Sequence, residues 1–141
     1  MLKPPTMYLL SVLFSTFTYW KLLNGIYKNG KYMNFAMPLL QFDTTLSLVP
    51  AEKSSFAETV TELYTTKMVT TRGHVGVTIR ERESADLHFG RAVEGSLLFL
   101  DAEIRQGRSF ERKREFGLAV MDHAATIFDI PDENMKVVFT D

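Results

Sequence analysis

A chain of 141 residues with 45% hydrophobic and 23% charged residues has the length and composition of one globular domain, rarely two. It contains no cysteine, which excludes disulfides, thiolate metal sites and a cysteine nucleophile. Its formal net charge of −1 hides an asymmetry: residues 1–36 carry Lys3, Lys21, Lys28 and Lys31 and no acid, so the remainder sums to −5. An acidic remainder argues against nonspecific nucleic-acid binding, and no nucleic-acid partner is expected.

The first 36 residues are unlike the rest. Pro4–Trp20 is uncharged and Met7–Phe14 is strongly apolar, but the run is diluted by Ser11, Ser15, Thr16 and Thr18. It is shorter than the roughly 20 apolar residues that a membrane-spanning helix needs. As a secretory signal it has only Lys3 before the apolar stretch and a poor cleavage site at Asn34-Phe35-Ala36; as a mitochondrial presequence it lacks arginine. Asn24-Gly25 and Asn29-Gly30 read as turns in a polar stretch. Three readings stand for residues 1–36. They are absent from a working protein whose translation starts at Met37, they form a weak signal or an anchor through residues 7–23, or they are a structured extension. The first implies a cytoplasmic protein, the second a secreted or membrane-anchored one; a membrane partner is not the expectation.

From residue 38 to 141 the pattern is that of one domain in two similar halves. Leu39–Leu46 has strand-like apolar positions at 40, 42 and 46. Pro50 suits the first position of a helix and Glu52 its positive first turn. Phe56, Val60, Leu63 and Tyr64 then mark one helical face. Val75, Val77 and Ile79 alternate as in a half-buried strand, and Leu87–Val93 reads as a short strand or a loop. Leu97–Ile104 opens as a continuous apolar run, the mark of a strand covered on both faces. Ser109 is a good N-cap with Glu111 behind it, and Phe116, Val120, Ala124 and Ile127 keep helical spacing up to Pro131. Met135–Phe139 is the last strand. The order is strand-helix-strand twice, and landmarks recur at a near-constant offset: Pro38 with Ser96, Pro50 with Ser109, Val75 with Met135. It predicts an α/β domain with four strands in one mixed sheet and both helices on one face. The bare sheet face then calls for a cover, and another subunit is the natural one.

Three residue groups carry candidate chemistry. Arg105 and Arg108 lie across a strand-to-helix turn at Gly107 and precede Ser109, a plausible carboxylate site; ion pairs with Glu103 or Glu111 are the plain alternative. Pro38 is a base or nucleophile only if its nitrogen is a chain terminus, where a secondary amine has a pKa of roughly 7.7–8.0 before perturbation. As an internal residue it merely begins a strand. Tyr64 is a phenolic donor or an ordinary core residue. His74, His88 and His123 show no metal-ligand spacing, so no metal is expected. Arg108–Arg114 is basic but interrupted by Glu111, a solvated helix face; Arg80, Arg82 and Arg91 are expected to pair with Glu81, Glu83 and Asp86.

Met37-Pro38, the short strand, Val49-Pro50-Ala51-Glu52-Lys53 and Ile104-Arg105-Gln106-Gly107-Arg108-Ser109 together resemble the cis-3-chloroacrylic acid dehalogenase branch of the tautomerase superfamily. The resemblance runs from Pro38 to Asp141. It implies the tautomerase-like double βαβ fold, a homotrimer and no cofactor. It also implies an amino-terminal proline at Pro38 as catalytic group, with Arg105 and Arg108 binding the carboxylate of a small substrate. Tyr64 stands where that branch has a catalytic histidine, Val138 where it has a tyrosine, and the chain ends at Asp141 before the segment that carries its water-activating glutamate. Hydrolytic dehalogenation is therefore not expected. Keto–enol tautomerisation of a small 2-oxo acid or unsaturated carboxylate needs only a base, a polarising group and an anchor. The alternative is a degenerate member acting as a binding or structural domain.

Overall fold

The computed structural model describes two short strands, β1 (Ile26–Lys28) and β2 (Lys31–Met33), and residues 38–141. Backbone proximity divides the chain into two units, Met1–Ala36 and Met37–Asp141. In the first unit β1 and β2 pair antiparallel, with Lys28 opposite Lys31. The apolar run of residues 7–23 and both Asn-Gly turn pairs lie outside the described residues. Among the described helices none is long and apolar enough to cross a membrane.

The second unit runs β3 (Leu39–Thr44), α1 (Pro50–Met68), β4 (Gly76–Glu81), β5 (Leu98–Glu103), α2 (Phe110–Phe128) and β6 (Met135–Thr140). Its four strands form one sheet in the order β4-β3-β5-β6. The pairs β3–β4 and β5–β6, each joined through a helix, are parallel, and β3 and β5 meet antiparallel in the middle. This is the mixed four-stranded sheet with two helices that the doubled pattern predicts. The halves repeat closely in length as well as in order. Leu98 opens β5 as Leu39 opens β3, Met135 opens β6 as Gly76 opens β4, and one offset relates both pairs. The two helices are of equal length, and α2 starts only one position later than that offset would place it.

Alternation along the strands sorts side chains between the faces. Leu40, Phe42 and Thr44 pair with Ala102, Leu100 and Leu98 on one face, and all six are buried. Phe56, Val60, Tyr64 and Met68 of α1 and Phe116, Val120 and Ala124 of α2 complete that core. Phe42 meets Phe56 edge-on with ring centroids 4.9 Å apart. Each large side chain so buried contributes roughly 1.5–3 kcal/mol relative to exposure. The α2 stripe holds to i+4 spacing and ends on Phe128, which packs against the core, so Ile127 turns outward and is exposed.

The helix starts follow their sequence signals. Pro50 opens α1, and the Glu52 carboxylate accepts from the Val49 N–H at 2.9 Å. Ser109 caps α2 by accepting from the Arg112 N–H at 3.3 Å. Residues 82–97 form a loop rather than a strand. Asn134, buried and reaching back from the far end of the chain, fixes this loop through the Val93 N–H and the carbonyls of Val93 and Ser96.

The other sheet face is less apolar than the run Leu97–Leu100 suggests. Only Phe99 of β5 joins Leu39 and Val138 there, among Gln41, Asp43, Thr78, Arg80 and Asp101. Phe89 of the loop packs edge-on to Phe99 at 6.5 Å. The arginines also pair differently from expectation. Arg80 and Arg82 both bind the buried Asp43, at 3.0 and 2.9 Å, Glu81 binds Lys53, and Arg91 donates to the Met135 carbonyl. Neighbours along a strand point to opposite faces, so Arg80 cannot reach Glu81 but meets Asp43, its cross-strand partner.

Candidate functional site

Four chain segments converge at one end of the sheet. Because β3 and β5 are antiparallel with Leu39 opposite Glu103, Pro38 falls beside Ile104, one residue before Arg105. Gly76 at the start of β4 donates to the Pro38 carbonyl at 2.9 Å. A Cβ at Gly76 would stand 3.3 Å from Leu39 Cδ1, so the glycine permits this close approach. The last turn of α1 reaches the same end, since β4 begins only a short link after Met68.

The β5–α2 turn holds both arginines. Gly107 has φ +91, a conformation that glycine adopts without penalty, and it lets the backbone reverse between Arg105 and Arg108. Arg105, Gln106, Gly107 and Arg108 line an open depression of about 230 Å³. Among the described residues neither arginine pairs with a carboxylate, so the alternative pairing with Glu103 or Glu111 is not realised. Arg105 is exposed. Arg108 is half-buried and donates from Nη1 to the Met68 carbonyl at 2.6 Å, which ties the turn to the C-terminus of α1.

Tyr64 lies one helical turn before Met68 and is 1% exposed. Burial raises its phenol above the usual value of 10.0, and the nearby Arg108 charge partly opposes that rise. Its ring packs edge-on against Phe116. The residue is thus a core residue whose hydroxyl lies within electrostatic reach of the arginine turn.

The histidines lie apart in the sequence and do different things. His74 bonds the Thr71 hydroxyl at 2.8 Å, His88 is exposed, and His123 stacks on Phe56. Among the described residues no group of His, Asp or Glu is placed to hold a metal ion.

No protein-family model matches the sequence, and no curated protein matches it. Solved structures do. The chain superimposes on W0 fused 4-OT, a wild-type symmetric trimer, with a TM-score of 0.65 and 21% identity, over 73% of this chain and 85% of that one. It superimposes on N1, a member of the cis-3-chloroacrylic acid dehalogenase family, with a TM-score of 0.64 and 20% identity, over 72% of this chain and 73% of that one. It matches Pt0534 inactivated by 2-oxo-3-pentynoate with a TM-score of 0.65 and 16% identity, over 73% and 84%.

The chain has the tautomerase fold. Within that fold the sequence signals at Pro38, Arg105 and Arg108 come to one end of the sheet, and Tyr64 approaches from the core side. The Met68 carbonyl has no mark in the sequence because its chemistry is in the main chain, where residue type gives no sign. Asp43 has one: a lone acid inside Leu39–Thr44 is a visible anomaly.

Proposed function

We propose that the domain is a tautomerase-like enzyme acting on a small 2-oxo acid or unsaturated carboxylate. Arg105 and Arg108 bind the carboxylate and Pro38, once its nitrogen is a free secondary amine, shuttles the proton. In ketonisation of an enol the amine takes the hydroxyl proton as the carbonyl forms, and a proton is delivered to the adjacent carbon. The reaction is an isomerisation and needs no other reactant. Tyr64 serves as phenolic donor, kept protonated by its burial.

The observation that carries this reading is the placement of Pro38 beside the end of β5 that leads into the two arginines. A carboxylate held by the guanidinium groups would lie next to the proline nitrogen. An acylated proline nitrogen has no basicity, so the reading requires a form that begins at Pro38. It also includes a homotrimer, as W0 fused 4-OT forms, since the sheet face bearing Leu39, Phe99 and Val138 gains by being covered.

Phenylenolpyruvate ketonisation tests it. Protein beginning at Pro38 should turn the enol over, and both the full chain and Pro38→Ala should lose most of that rate. Equal rates in all three would remove Pro38 from the chemistry. Light scattering on the same samples should give three times the chain mass, and a monomer would contradict the assembly.

A second reading, a binding domain without turnover, draws on the depth at which Tyr64 is buried. It predicts that Arg105→Ala abolishes carboxylate binding in a protein that never shows ketonisation.

A further inference from the structure

The last carbonyls of a helix have no partner within it. At the end of α1 the Met68 carbonyl is taken by Arg108 Nη1, 40 residues away in sequence. What can reach that carbonyl depends on where the following residue takes the chain. Val69 has φ 53 and ψ 63, the left-handed region, in which a β-branched residue is a true outlier. Val69 is 70% exposed, so burial does not offset the strain. The turn is held by the N–H groups of Val69 and Thr70, which both return to the Thr65 carbonyl.

The second half of the domain supplies an internal comparison. Asp129 ends α2 in the same way, with φ 53 and its N–H bonded to the Ala125 carbonyl. Aspartate tolerates this conformation because its short polar side chain bonds locally. The strained version of the turn therefore occurs at the helix end that carries an arginine. Strained residues persist where the surroundings over-determine them, and they gather at functional positions.

The bond matters for what Arg108 can still do. A guanidinium has five N–H donors in a plane. With Nη1 spent on the carbonyl, the Nε–Nη2 edge remains, and that edge fits a carboxylate with two parallel bonds. The bond to α1 then limits how far the guanidinium can turn on its flexible stem. We infer that Val69 is a positioning residue: its left-handed turn ends the helix and leads the chain away, leaving the Met68 carbonyl open to hold Arg108 with its Nε–Nη2 edge turned to an incoming carboxylate. The carboxylate part rests on the function proposed above; the mount itself does not.

The test uses the full chain and two readouts. A held guanidinium gives separate Nη nitrogen signals by NMR, whereas a rotating one averages them. Val69→Pro locks φ at a negative value and cannot make the turn, while Val69→Asn can. Val69→Pro should collapse the Arg108 Nη signals into one and weaken pyruvate binding about tenfold; Val69→Asn should keep them separate with binding like the parent. Separate signals in Val69→Pro, or equal weakening in both variants, would overturn the assignment. A mere helix cap would change melting temperature in both and leave Arg108 indifferent. If Val69→Pro does not fold, the scalar coupling between Arg108 Nη1 and the Met68 carbonyl carbon in the unaltered chain decides, and its absence refutes the mount. Failure of pyruvate to bind the parent would count against the carboxylate site alone, since the Nη signals would still report on Val69.

Discussion

Tyr64 stands edge-on to Phe116, with ring centroids 5.2 Å apart and planes at 87°, so the two helices meet through an aromatic pair. Packing and chemistry can be separated at this residue. Tyr64→Ala should cost about 3–5 kcal/mol of folding stability by leaving a cavity. Tyr64→Phe keeps the ring and should change stability by less than about 1.5 kcal/mol, as volume-conserving core changes do. Chemical denaturation of both variants checks this. A full ketonisation rate in a stable Tyr64→Phe protein would end the donor role.

His123 is partly buried against Phe56, and burial holds its pKa below the usual 6.5. The unfolded chain therefore binds this proton more readily than the folded one. The stability tied to this group is full above the unfolded value of 6.5 and is lost as pH falls through the lower folded value. His123→Gln should flatten the decline in melting temperature between neutral pH and the acid side of that value. An identical decline in parent and variant would show that His123 contributes nothing to it.

Asp43 is held by Arg80 and Arg82, one on each carboxylate oxygen. Both arginines are about half exposed and can recover water, so the loss is moderated. Asp43→Asn should cost about 1.5–3 kcal/mol, the range for hydrogen bonds to charged groups. A double-mutant cycle with Arg82→Ala should return a coupling above roughly 0.5 kcal/mol, as expected for residues in one network. Additive losses would mean that the bridge is dispensable.

Asn134 is 0% exposed and makes three bonds to the loop at Val93 and Ser96. Asn134→Ala leaves buried main-chain groups without partners and should cost about 1–3 kcal/mol or more. It should also speed proteolysis within residues 82–97 before the rest of the domain is cut. Unchanged cleavage there would show that the loop is fixed by other means.

The strands and helices were legible because burial imposes period two on Leu39–Thr44 and an i+4 stripe on Phe56, Val60 and Tyr64. Caps at Pro50 and Ser109 fixed the starts of both helices. Partner choice was not legible. Arg80 beside Glu81 looks like a pair in one dimension, but strand alternation sends them to opposite faces and pairs Arg80 with Asp43. The proposed site rests on residue types at Pro38, Arg105 and Arg108. That they share one end of the sheet depends on β3 meeting β5 antiparallel, a relationship between segments far apart in sequence. Arg108's bond to Met68 had no signal, because the acceptor is a peptide carbonyl.

The near-exact repeat of the two halves has a consequence for stoichiometry. The offset that carries Leu39 onto Leu98 also carries Pro38 onto Leu97, and in reverse it carries Arg105 onto Leu46, at the opposite end of the same sheet. There the strands repeat but the link to the helix does not: it is one residue shorter and lacks the positive φ of Gly107, Leu46 stands in place of Arg105, and Leu97 is fastened by the side chains of Thr44 and Thr45. Among the described residues the arginine pair stands at one of the two ends. Under the proposed function each domain then binds one carboxylate, and in the proposed ring of three chains such ends would number three, with the opposite ends serving as closures of the fold.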